Sequence, residues 1–492
     1  MKTYIVSLCL LGLFIAQPSF SQNIIASKDF DISRSMMIHD VPLAKNFDDN
    51  SVVMLKEMKR GDFRLIKYDV ELKPVWNIQT DYEGLNVPQL KISEGKILLI
   101  SYNLDPYKNS LMLDLRAFDP KNGELSYKKT HYLLDEFKAG YIPKVTFSED
   151  LSKFAVYNYK QVDSKKYNFR IYSADAQVLL KEIEVDETSF SPNSSLEGLL
   201  DDNGDLFIAL ADPDYLRLAG YFVAANEKQF QVMEDNIFFR RPTETIDNLL
   251  VQKSGDCYYV AAGGKIGDEL IGVNLTCFNF HDYQVHLKKT IDFTVKYMYN
   301  LYADTFKASP QVKKSSLGDP VWLDSYNLQE MFMNSENDII LTIEKNANPT
   351  GYHQEFINNN LVGTHNTNRK LQKSEDIIIM AIGTSGDIKW DHVIQKYQVF
   401  KPYTYSLSYV SYFEENVLSL LTWSKKGKKN FHVSKINTLN GDFVTESKEL
   451  LAGNKYTYNK NYTTFIDSEK IFVLAQKNNK SGQRKIFTLS TN

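Results

Sequence analysis

The sequence predicts an all-β chain folded as a β-propeller of eight four-stranded blades closed by an N-terminal strand. Three observations carry that expectation. A polar turn followed at once by a short apolar strand recurs eight times, a more strictly alternating strand follows each, and the two chain ends each hold part of one blade.

The apolar strands are the clearest element. They read Val52–Leu55, Ile97–Ile100, Phe154–Tyr157, Leu206–Leu210, Tyr258–Ala261, Ile339–Leu341, Val417–Leu421 and Ile471–Leu474, each too short for a helix of its own. Turns precede them at Asp48–Asn50, Ser93–Gly95, Ser148–Asp150, Asp202–Gly204, Ser254–Asp256, Ser335–Asn337, Glu414–Asn416 and Asp467–Glu469, in residue types that favour tight hairpins. The following strands, such as Leu113–Phe118 and Phe169–Tyr172, alternate, which predicts one exposed face. A second set of turns comes next, among them Asp119–Gly123, Thr384–Asp387 and Asn437–Gly441. Four strands per unit is the simplest count. Seven blades is the alternative count, and an open solenoid or stacked sandwiches the alternative architectures.

The last unit stops at Lys485–Leu489 after three strands, and Asn23–Phe30, ahead of the first complete unit, is the candidate for the fourth. Ring closure of this kind removes exposed blade edges at the seam.

The chain opens with Lys2, an apolar stretch from Tyr4 to Ala16, and Pro18-Ser19-Phe20-Ser21. This is the pattern of a signal peptide spanning residues 1–21, so residues 22–492 are expected as a single exported propeller domain, periplasmic or extracellular. No later run approaches the length of a membrane helix. Cleavage would remove Lys2 and no acidic residue, taking the formal charge from −4 to one unit lower, which favours neither nucleic acid nor anionic membrane as partner. Cys257 and Cys277 are too few for a disulfide framework. A hairpin folded around 266–268 puts them nearly opposite each other, either as a disulfide or as two small buried thiols, and the spacing leaves both open.

Phe118-Asp119-Pro120-Lys121-Asn122-Gly123-Glu124 and Gly386-Asp387-Ile388-Lys389-Trp390 resemble the strand-turn-strand repeats of quinoprotein-like propellers. That resemblance covers the whole mature chain and implies the eight-bladed architecture. Those propellers repeat a tryptophan after the turn, and here only Trp76 and Trp390 stand in comparable places. The resemblance therefore implies no quinone, and no cofactor is expected.

Alternating strand direction puts two kinds of connection at opposite ends of a blade. The two longest connections, 293–326 and 345–374, fall on the same face and mark the expected binding surface. The first carries Tyr302, Asp304 and Trp322, the second Tyr352, His353, Glu355 and His365, a mixture of aromatics and polar groups suited to a peptide or glycan. The competing reading packs the first insertion onto blade edges and leaves the second as plain solvated loop. Asp105, Tyr107 and Tyr215 lie in shorter loops on that face, where they serve equally well as turn residues.

Chemical motifs are sparse. No Gly-x-Ser-x-Gly elbow occurs, and Gly383–Gly386 reads as a hairpin turn. His353, Glu355 and His365 match no His-Glu-x-x-His spacing, so no metal site is assigned. Asp201–Asp205 resembles part of a calcium loop but coincides with a repeated turn. Gly263–Gly267 reads as a connection in blade five. The function expected is a non-enzymatic binding or scaffold propeller that recognises a protein, peptide or glycan. An extracellular carbohydrate-active enzyme with carboxylates at the central channel is the alternative, and a quinone-dependent dehydrogenase ranks below both.

Overall fold

In a computed structural model the chain forms eight four-stranded antiparallel sheets arranged in a ring. The residues described are 24–30, 44–47, 49–59, 62–81, 89–105, 107–108, 110–134, 143–157, 166–176, 178–186, 194–236, 245–267, 269–294, 296–298, 300–301, 323–324, 326–347, 356–357, 360–361, 372–396, 398–400, 409–424, 430–450, 456–458, 460–477 and 484–491. Each blade runs from an inner strand at the axis to an outer strand at the rim. Blade 2 is typical, with strands Gln89–Ser93, Lys96–Leu104, Leu111–Phe118 and Leu125–Leu134 paired in sequence order.

The eight apolar runs are the second strands of the eight blades. Each is flanked by sheets on both faces, and residues such as Val53, Ile97, Phe154, Leu206, Val260, Ile340, Leu420 and Val473 have lost essentially all solvent contact. Burying each such side chain contributes about 1.5–3 kcal/mol relative to exposure. Apolar clusters fill all eight joints between neighbouring blades, including the seam where Phe472, Leu474 and Ile486 of blade 8 meet Val52–Leu55 of blade 1.

Closure follows the expected route. Ile24–Asp29 pairs antiparallel with Arg484–Ser490, in the register Ser27 opposite Phe487 and Asp29 opposite Lys485, and so forms the outer strand of blade 8. The Phe30 amide continues the ladder by donating to the Arg484 carbonyl at 3.1 Å. The inner strand of the same blade is split into Tyr456–Tyr458 and Thr464–Asp467 by a short 3-10 turn, Lys460–Tyr462.

The turns preceding the apolar strands form one end of the ring. Asn50, Leu151, Asn337 and Asn416 take positive φ there, between 57° and 63°. Asp201 illustrates their chemistry: its Oδ1 accepts from the amides of Asn203, Gly204 and Asp205 at 2.9–3.0 Å, while Oδ2 meets Lys253 at 3.0 Å. That carboxylate is committed to its turn, and no metal-holding group occurs among the described residues.

Two expectations change. The third strands of blades 4 and 5, Arg217–Val223 and Glu269–Asn279, are buried almost throughout, so half-exposure passes to the outer strands. Gly263–Ile266 continues the second strand of blade 5 and Gly267 lies in the turn beyond it, because the partner strand pairs through to Glu269. Among the described residues no helix is long and apolar enough to cross a membrane.

Candidate functional site at the channel mouth

All inner strands enter the ring from the end that carries the second-to-third strand connections and the blade-to-blade connections. At that end, between blades 3 and 6, lies a cavity of about 890 Å3. Its wall is built largely from successive inner strands: Lys144 in blade 3, Ser195 to Gly198 in blade 4, and Thr245, Ile246 and Asn248 to Val251 in blade 5. Lys265 and Gly267, where blade 5 turns from second to third strand, complete it with Met331 of blade 6.

Close approach of blades 3 and 4 sets the charged part of this wall. Gly198 donates its amide to the Tyr157 hydroxyl at 3.1 Å, and a Cβ there would stand 2.8 Å from Ile208 Cδ1 and 2.9 Å from the Tyr157 ring. Only glycine lets the inner strand of blade 4 settle onto Tyr157. Burial first, then Glu197, push the Tyr157 phenol far above its ordinary range, so it stays neutral. Glu197, next in the strand, meets the Lys144 ammonium at 3.0 Å, and that ammonium also donates to the Leu196 carbonyl at 2.5 Å. Lys91, on the inner strand of blade 2, sits 5.7 Å from the Phe147 ring centroid. Loss of hydration lowers its pKa and the field of Glu197 opposes that shift. On the other side, Asn248 donates to the Leu328 carbonyl at 2.6 Å, and Lys265 hydrogen-bonds Asn327, tying blade 5 to blade 6.

The first insertion is anchored beside this wall. A helical turn around Met298 is capped where Thr294 Oγ1 accepts from the Tyr297 amide at 3.1 Å. Phe293 and Met298 are buried against the joint of blades 5 and 6, with Tyr297 and Leu301 packed on it. Leu323 and Asp324 return the chain by pairing with Leu270 and Glu269, two residues beyond cavity-lining Gly267. Tyr297 therefore packs onto the blades, as the competing reading of this insertion had it.

Tyr302, Asp304, Trp322, Tyr352, His353, Glu355 and His365 lie outside the described residues. Of the second insertion, Phe356–Ile357 and Asn360–Leu361 pair as a small hairpin. Asp105 Oδ1 accepts from the amides of Tyr107 and Lys108, and Tyr107 is 95% exposed. Asp212 organises the Tyr215 turn in the same way, and Tyr215 is 65% exposed. None of these residues lines the cavity. Cys257 and Cys277 are separate thiols at diagonal positions of neighbouring strands, since Cys277 pairs directly with Tyr259. Lys144, Glu197, Asn248 and Lys265 were not anticipated. For Lys144, Glu197 and Asn248 the signal in sequence was a charged or amide residue inside the short strand ahead of a repeated turn, whereas Lys265 lies in the second strand of blade 5.

No protein-family model matches the chain, and no curated protein matches it in sequence. Solved structures match the chain at low identity. The WD40 domain of SCAP from fission yeast is 8% identical, covering 92% of this chain and 96% of that one at a TM-score of 0.39. A periplasmic gluconolactonase of Pseudomonas aeruginosa is 11% identical, covering 81% and 94% at 0.42. A putative 6-phosphogluconolactonase of Bacteroides fragilis is 10% identical, covering 84% and 95% at 0.39. The likeness is one of fold alone.

Proposed function

We propose that this chain is an exported, non-enzymatic binding propeller that recognises a protein, peptide or glycan through the face bearing the two long insertions. One observation carries the reading: the polar cavity of about 890 Å3 lies at that face, with the return of the first insertion paired beside its wall. The volume falls in the range of ligand clefts, and the donors and acceptors on its wall sit on inner strands held from both sides by neighbouring blades. The leader-like segment at residues 1–21 supports an exported location.

A carbohydrate-active enzyme draws no specific support, because Glu197 is the one carboxylate among the described lining residues and a glycosidase needs a pair. The likeness to quinoprotein-like repeats is read as architectural. In keeping with it, the Trp76 indole donates to the Pro120 carbonyl of the next blade at 3.1 Å, and Trp390 to that of Thr438 at 3.2 Å.

The test is deletion of residues 348–371 from the mature chain, followed by comparison of envelope-partner capture with the full-length protein. Loss of capture with unchanged cooperative unfolding is expected. Unchanged capture by a folded deletion variant would move the binding surface elsewhere.

A further inference from the structure

We infer that the cavity at the channel mouth takes a neutral oligosaccharide, gripped at two adjacent ring hydroxyls by the Lys144–Glu197 pair. The inference rests on the binding reading above and names the ligand class for that cavity.

The arrangement that carries it is an ion pair with hydrogen-bonding capacity to spare on both sides. Glu197 Oε2 meets the Lys144 ammonium at 3.0 Å, and the two side chains are 40% and 47% exposed, so a ligand in the cavity reaches them. Two of the three ammonium protons go to Glu197 and to the Leu196 carbonyl, which leaves one donor. Glu197 Oε1 accepts from none of the described residues. The pair thus sets a donor and an acceptor side by side, about one hydrogen-bond length apart, as are the adjacent hydroxyl oxygens of a sugar ring. One hydroxyl accepts from Lys144 while its neighbour donates to Glu197. Net charge on the ligand is disfavoured in either sign, because an anion drawn to Lys144 meets Glu197 and a cation drawn to Glu197 meets Lys144.

The rest of the wall is polar where a ligand can touch it. Leu196, Ile246, Leu249 and Met331 line the cavity but are buried in the blade joints, with little apolar surface left to offer. Ser195 and Thr245 add hydroxyls that bond to none of the described residues. A β-bulge between Ile246 and Leu249 interrupts the inner strand of blade 5 and leaves Asn248 exposed. Its amide nitrogen is fixed on the Leu328 carbonyl at 2.6 Å, and its Oδ1 accepts from none of the described residues. Lys265 is directed across the joint to Asn327. Glu330 stays out of the cavity: neighbouring residues of a strand face opposite ways, so Met331 faces blade 5 while Glu330 Oε1 accepts from Ser411 Oγ of blade 7 at 2.6 Å.

Calorimetric titration of the mature chain tests this with maltohexaose, laminarihexaose and mannohexaose as neutral probes, hexagalacturonate and a glucosamine hexamer as charged ones, and hexaglycine as a peptide. Binding of at least one neutral hexasaccharide is expected, little changed by salt and at least about tenfold tighter than either charged hexamer. The fully O-methylated form of that sugar has no hydroxyl left to donate to Glu197 and should bind about tenfold more weakly. Lys144→Gln and Glu197→Gln should each cost about tenfold with cooperative unfolding retained, and Glu197→Gln should also relax the discrimination against hexagalacturonate. Asn248→Ala, which leaves the ion pair intact, should weaken the sugar several-fold and reads the same wall independently. Full affinity in both glutamine variants, or equal affinity for the methylated sugar, would overturn the grip by the pair. Preference for a charged hexamer would overturn the neutral class, and preference for hexaglycine would replace sugar by peptide. Silence toward all three neutral hexasaccharides would overturn the inference, whereas the binding face itself stands or falls on the insertion-deletion experiment.

Discussion

Lys396 and Glu344 form an ion pair in which neither side chain touches solvent. Glu344 lies in the second strand of blade 6, and Lys396 follows its outer strand. Beside them the Tyr409 hydroxyl is 2.6 Å from Thr342 Oγ1, and the ammoniums of Lys396 and Lys460 lie 5.9 Å and 5.8 Å from the Tyr409 ring centroid. Burial drives the Lys396 pKa down and the Tyr409 pKa up. Removing one partner leaves the other charge enclosed. Glu344→Gln should therefore cost about 3–5 kcal/mol, read by denaturant unfolding, whereas the paired change Glu344→Leu with Lys396→Met should be far milder. A glutamine variant as stable as the parent would mean that water reaches the pair.

Gly441 occupies φ +80°, and a Cβ there would stand 2.7 Å from Trp390 Cγ of the preceding blade. Gly441→Ala should thus lower stability by about 1–3 kcal/mol, combining left-handed strain with displacement of the indole. Thermal unfolding followed by tryptophan fluorescence would report both effects at once. An unchanged spectrum would show that the joint between blades 6 and 7 does not depend on this contact.

His131 supplies an acid-sensitive element. It is 3% exposed, edge-on to Phe154 at 4.8 Å, with Nε2 3.3 Å from the Ala174 carbonyl. Loss of hydration is the largest influence and lowers its pKa below 6.5, against the smaller effect of the Ala174 carbonyl. The unfolded chain then binds a proton more readily, so this residue's contribution is complete above about pH 6.5 and falls away as pH drops toward the lowered folded value. His131→Phe should flatten that part of a stability profile taken between pH 7 and 5. An identical slope in the variant would assign the acid limb to carboxylates.

Cys277 is buried, and desolvation first, then the neighbouring Cys257 thiol, push its pKa far up. Cys257 is half-buried. Since the thiolate is the reactive form, alkylation of the native reduced protein at pH 8 should label Cys257 well before Cys277. Equal labelling rates would indicate that strands Cys257–Ile266 and Glu269–Asn279 separate in the native state. Intact mass before and after reduction decides whether the exported protein carries the two as a disulfide.

The architecture was legible because a propeller writes its blades locally. A second strand buried on both faces must be largely apolar, and the turn before it takes positive φ in six of the eight blades, so Ser335-Glu336-Asn337 followed by Ile339–Leu341 reads as a blade without knowledge of any other. Even the seam could be read, since Lys485–Leu489 lacked a partner and Ile24–Asp29 had none nearby. The site was not legible in the same way. Lys144 and Glu197 sit in different repeats and meet only because the ring sets inner strands side by side, and Asn248 lines the same cavity from a third blade. Alternation along a short inner strand tells which residues are polar, but not which polar residues across three repeats converge.

The pairing of Ile24–Asp29 with Arg484–Ser490 also fixes an order of events. Blades 1 to 7 each consist of neighbouring segments and can collapse as they emerge, whereas blade 8 cannot be completed until the two extremities of the polypeptide find each other. That search is the costliest in loop-closure entropy and has the longest sequence separation in the molecule, so it belongs at the slow end of folding. Until then the third strand of blade 8 presents a bare edge that a second unfinished molecule can fill as readily as its own leading segment. Dilution during refolding should accordingly favour single closed rings over strand-exchanged dimers.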